Sequence, residues 1–60
     1  MDIDYIRQCV GKQCSVSIEN GFYYKGKVLS VGEDYLIILD KVGKKVFLSL
    51  KTITRIEEIE

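Results

Sequence analysis

The stretch Gly11-Lys12-Gln13-Cys14-Ser15-Val16-Ser17-Ile18-Glu19-Asn20-Gly21-Phe22-Tyr23-Tyr24-Lys25-Gly26-Lys27-Val28 decides the fold. Cys14, Val16 and Ile18 alternate with Ser15, Ser17 and Glu19, the pattern of a strand with one buried face. Asn20-Gly21 then predicts a type I′ hairpin turn, since both residues tolerate the positive φ that such a turn needs. The returning strand starts at Phe22 and runs to about Val31. Phe22, Tyr24, Val28 and Ser30 share one side of it. Tyr23, Lys25, Lys27, Leu29 and Val31 share the other, with Tyr23, Lys25 and Lys27 directed outward. Gly26 falls on the first side, where a glycine weakens a strand and so marks a sharp bend or a close backbone approach.

Toward the N-terminus, residues 2–10 read as a short helix, with Ile3, Ile6 and Val10 on one face and Cys9 beside them. Asp2 suits the N-cap and Asp4 the first turn, where its charge opposes the helix dipole. Gly11 is the stop signal. Toward the C-terminus, Gly32-Glu33-Asp34 makes a turn, and the run Tyr35-Leu36-Ile37-Ile38-Leu39 is apolar without alternation, which predicts burial on both faces. A polar turn over 40–44 leads to a fourth strand, and Lys51-Thr52 connects that to a fifth. Ile53, Ile56 and Ile59 break strict alternation there and predict a bulge or a helical ending. With strands at about 13–19, 22–31, 35–40, 45–50 and 53–58, the expected fold is mainly β. It is a single domain over residues 1–60: a short N-terminal helix and a five-stranded, strongly bent antiparallel open barrel.

Sixty residues bury only about 60% of the surface exposed in the unfolded chain, so such a core needs a supplement. Cys9 and Cys14 are the only cysteines and histidine is absent, so one chain cannot complete a four-ligand zinc site. Both are read as reduced thiols of a cytoplasmic protein, with Cys14 in the core. No catalytic constellation, metal site or cofactor is expected, because nothing positions a base beside either thiol. Nine basic residues balance nine acidic ones, which removes the argument from bulk charge for nucleic acid while leaving room for a local basic face. No apolar run approaches the ~18 residues that cross a membrane, and no signal peptide is expected.

Oligomerisation is the remaining supplement. The last two strands are rich in β-branched and aromatic residues, and such edges invite pairing between copies. Either Arg55, Glu57 and Glu58 guard such an edge or the edges pair between subunits. The expected interface then comprises Val46, Phe47, Leu48, Ile53, Arg55 and Ile56, and a head-to-tail contact closes into a ring if its rotation allows.

The order of elements and the spacing of Gly11, Lys12, Cys14, Val16, Ile18, Gly21, Tyr24, Gly26 and Val28 resemble the Sm-like (LSm) superfamily, including its Hfq branch. They fall without a gap on the first Sm motif, G-K-x-V-x-V-x-L-x-x-G-x-x-Y-x-G-x-L. The resemblance implies a homo-oligomeric ring of six or seven subunits and binding of RNA. It does not carry over the family's uridine pocket. An Asp-x-aromatic-x-Asn stretch lands on Gly32, Asp34 and Leu36, and an Arg-Gly pair lands on Ser49 and Leu50. The stacking ring, worth about 1–3 kcal/mol per base, and the base-reading amide are both missing.

RNA contact is therefore expected on a non-standard surface. Tyr23, Lys25 and Lys27 interleave an aromatic with two cations, suited to one base and neighbouring phosphates. Lys51 and Thr52 are a second candidate, at the end of a run from Lys41 that holds Lys44 and Lys45 and no acid. Tyr5 and Gln8 offer a weaker helix face. The alternative function is a protein-interaction or assembly ring without significant RNA binding, its protein partners unspecified.

Overall fold

The computed structural model describes residues 3–59. The fold is mainly β: one helix, α1 (Ile3–Arg7), precedes five strands, β1 (Gln13–Ile18), β2 (Tyr23–Val31), β3 (Tyr35–Leu39), β4 (Lys45–Ser49) and β5 (Ile53–Glu58). All pairings are antiparallel, and one sheet runs in the order β4-β3-β2-β1-β5. β4 and β5 are its two edges. Leu48 of one edge strand and Ile53 and Ile56 of the other nevertheless belong to the same buried cluster, with Cys14, Val16, Val28, Leu36 and Ile38 between them. Ile6 and Cys9 bring the helical segment onto that cluster. No helix among the described residues is long and apolar enough to cross a membrane.

The helix is shorter than the sequence spacing predicts. Regular structure ends at Arg7, and Cys9 and Val10 donate to carbonyls three residues back, Ile6 O at 3.0 Å and Arg7 O at 3.3 Å. This tighter winding rotates Val10 off the apolar face, and it stays exposed. The capping role expected of Asp2 lies outside the described residues.

The β1–β2 connection corrects the type I′ expectation. Only Gly21 is left-handed, at φ 92°, and no other residue type among those described has positive φ. Gly21 N–H donates to Ile18 O at 3.0 Å, Ile18 N–H donates to Phe22 O at 2.9 Å, and the Asn20 side chain accepts from Phe22 N–H at 3.0 Å. This is a three-residue loop closed by one left-handed glycine, with Asn20 acting through its side-chain oxygen rather than its backbone.

Two bulges account for the remaining differences. The β2–β3 register slips between Val28 and Ser30, so Ser30 pairs with Ile37 and Val31 with Leu36. One extra residue reverses the parity: Ser30 is exposed while Val31 packs on the core, opposite to their expected sides. The β1–β5 register slips at Ser17/Ile18, which lets Ile53 and Ile56 both turn inward although three residues apart. A bulge was one of the two expected outcomes there. β3 is not buried on both faces. Leu36 and Ile38 are buried, Ile37 and Leu39 half-buried and Tyr35 exposed, because α1 and the core cover only one side of the sheet.

Gly26 shows the close approach that its position predicts. It pairs with Cys14 of β1, and a Cβ built on it would collide with the Leu39 carbonyl oxygen, lying 2.9 Å from Leu39 C and 3.2 Å from Asp40 Cα. Every one of these obstacles is backbone, so relief requires moving β3 off β2. Gly26→Ala is expected to destabilise by about 3 kcal/mol or more, at the upper end of overpacking effects. Gly21→Ala, which meets only the left-handed strain of about 1–2 kcal/mol, should lose less. Urea midpoints of the two variants check the order.

Candidate nucleic-acid interface

The outward parity of β2 places Tyr23, Lys25 and Lys27 on one face, all exposed. Lys25 Nζ sits 5.6 Å from the centroid of the Tyr23 ring, a cation–π contact within one strand. The ammonium lies over a face of the ring, so cation and aromatic form one exposed patch.

These three side chains also line a cavity of about 670 Å³. It opens where β3 leaves β2: Gly26 lets Leu39 cross close to the strand, and the β3–β4 loop then turns away, bringing Asp40, Lys41 and Val42 to the far wall. Gln13, the partner of Lys27 on β1, and Tyr24 complete the lining. Three lysines face one aspartate across this space. Asp40 is engaged in shaping the loop, since its Oδ1 accepts from Val42 N–H at 3.0 Å and Lys44 N–H at 2.9 Å. The local field is therefore positive in a chain whose formal net charge is zero.

Comparison with protein families, with curated proteins and with solved structures gives no match.

Lys51 and Thr52 are not part of this cavity. They form the tight β4–β5 turn, where Lys51 is exposed and the Thr52 hydroxyl donates to Ser49 O at 2.9 Å. Thr52 O accepts from Glu19 N–H at 2.9 Å, which ties the turn to the end of β1. Tyr5 is directed to β5, its hydroxyl donating to Ile56 O at 3.4 Å, and Gln8 is exposed. Of the six residues expected at an oligomer interface, Leu48, Ile53 and Ile56 are core side chains, Val46 is half-buried, and Phe47 and Arg55 point outward. Strand pairing would use the first three through their main chains alone. Val42 and Gln13 are cavity residues that the spacing along the chain does not single out, and Lys41 is marked in the sequence only as the first residue of the basic run that leads to Lys51. Gly26 announces an approach without naming what approaches.

Both cysteines are free and buried. Burial, the neighbouring Cys9 thiol and the Glu58 carboxylate push the Cys14 thiol up from its ordinary 9.0 to about 11. The folded state thus holds this proton more tightly than the unfolded chain does. Stability from this group is fully present below about pH 9 and is lost as pH rises toward 11. Urea midpoints measured across that window should fall more steeply for the native chain than for Cys14→Val, which lacks the titrating group.

Proposed function

We propose that the chain is an Sm-like open barrel that assembles head-to-tail into a homo-oligomeric ring and binds single-stranded RNA through Tyr23, Lys25 and Lys27. The observation that carries the RNA reading is the gathering of these three side chains with Lys41 around one positively charged cavity. Phosphates supply most of the affinity in such a surface, and the Tyr23 ring supplies one stacking platform. The barrel reading draws on the bulged strands and on a core shared by both edge strands.

The ring reading draws on charge. Lys44 and Lys45 lie at the start of the β4 edge, while Glu57 and Glu58 lie at the end of the β5 edge. Part of the acidic charge is already held within the chain, Glu58 by Lys12 at 3.5 Å and Glu57 by Arg55 at 2.7 Å. Antiparallel addition of β4 to the β5 of another copy would place opposite signs together and cover both unpaired edges. The proposed role is a binding module without catalysis.

A second reading, an assembly ring without significant RNA affinity, is favoured by the missing uridine-pocket residues and by exposed Phe47 and Tyr35 on the outer face. Titration of oligo-uridine, oligo-adenosine and mixed RNA at two salt concentrations separates the two. The Lys25→Ala, Lys27→Ala double variant should weaken binding to every sequence and reduce the salt slope by about 1.4, two phosphate contacts at about 0.7 each. Absence of binding by the native chain at low salt would leave the assembly ring. Native mass measurement should give six or seven copies, and Lys44→Glu with Lys45→Glu should shift the population toward monomer. A native chain that is already monomeric would refute the head-to-tail contact.

A further inference from the structure

β2 is paired unequally on its two sides. Along β1 its partners run from Tyr23 to Lys27, whereas along β3 they begin only at Lys27 and run to Val31. Residues 23–26 therefore have a strand neighbour on one side and a cavity on the other.

The direction of the main chain follows from the bonds to β1. Val28 N–H donates to Lys12 O at 3.1 Å, Val28 O accepts from Gly11 N–H at 2.7 Å, and Phe22 O accepts from Ile18 N–H at 2.9 Å. Main-chain polar groups alternate sides along a strand, so those of Phe22, Tyr24, Gly26 and Val28 point toward β1. Those of Tyr23 and Lys25 point the other way, into the cavity. β3 has no residue to meet them, because at Asp40 the chain turns back and Asp40 N–H donates to Lys44 O at 2.9 Å. The edge that results is unlike those of β4 and β5, which the head-to-tail reading uses. It is internal to the sheet and walled by the β3–β4 loop. Leu39, Tyr24 and the highly exposed Val42 supply its apolar surface, and Lys25, Lys27 and Lys41 its charge.

We propose that this open stretch of β2 takes an extended acidic peptide as an added strand. The N–H and C=O groups of Tyr23 and Lys25 offer two donors and two acceptors in strand geometry, the arrangement by which a peptide augments a sheet. The free stretch accommodates about four residues at about 3.3 Å each. Carboxylates on the peptide positions opposite Tyr23 and Lys25 lie on the face that Lys25, Lys27 and Leu39 share, and the alternate side chains lie on the face of Tyr24. This ligand shares Lys25, Lys27 and Lys41 with the RNA reading and adds the main-chain bonds of Tyr23 and Lys25, so the amide readout tells the two apart.

The probe is the peptide acetyl-Glu-Val-Glu-Val-Glu-amide, followed by amide NMR and hydrogen exchange on the full chain. The expected result is protection of the Tyr23 and Lys25 amides, with no gain at Tyr24 or Gly26. Replacing the central glutamate of the peptide by its N-methyl form should weaken binding by about fivefold to tenfold, the worth of one main-chain hydrogen bond. In the protein, Lys25→Pro removes the N–H that faces the cavity and leaves the β1 ladder its bonds. It should bind more weakly than Lys25→Ala, which loses only the charge. If the proline variant does not fold, the N-methyl peptide makes the same comparison. Equal affinity for the methylated and unmethylated peptides would overturn the proposal. So would shifts restricted to lysine side chains, or protection of these two amides by oligo-uridine and not by the peptide.

Discussion

The architecture depends on a contact in which no side chain takes part. Leu39 and Asp40 pass so close to Gly26 that their backbones occupy the space of a Cβ. Because the glycine yields that space, the end of β3 lies tightly over β2, and the chain must then turn away at Asp40. The cavity, the position of Lys41 and the unpaired stretch of β2 all follow from that departure. A stretch rich in strand-forming residues thus has its candidate surface set by the one residue least suited to a strand.

The strands themselves were legible in residue pattern. Alternation through Cys14, Val16 and Ile18 gives the buried face of β1, and the parity of Tyr23, Lys25 and Lys27 gives the outward face of β2. What the pattern could not disclose were departures by a single residue. The slip after Val28 exchanges the sides of Ser30 and Val31 without leaving any mark in composition. The run from Tyr35 to Leu39 is apolar on both faces because its outer face is tolerated in partial exposure, not because a second layer covers it. Asn20 stays out of the left-handed region since its side chain closes the loop from a right-handed backbone.

The candidate site divides along the same line. Residues two apart on one strand share a face by covalent geometry, so Tyr23, Lys25 and Lys27 could be grouped before any fold was known. Lys41 and Val42 reach the same cavity only through tertiary contact across the β2–β3 pairing, which nothing in their own neighbourhood encodes. Charge behaves likewise. A net of zero conceals lysines gathered at one end of β4 and around the cavity, and glutamates gathered at the end of β5.

The pairing of β5 with β1 has a consequence in time rather than in space. Every other ladder joins strands adjacent in sequence across a short turn, and each can form as soon as its two arms exist. The β1–β5 ladder, with Ser15 opposite Glu57, joins strands separated by the whole of β2, β3 and β4 and so contributes contacts of high sequence separation. During synthesis, β1 must wait with one side unpaired until residues 53–58 have left the ribosome. Contact separation favours early local hairpins, with the buried positions Ile53 and Ile56 filled once β5 docks. Commitment to the fold therefore waits for β5, its rate governed by closing one long loop.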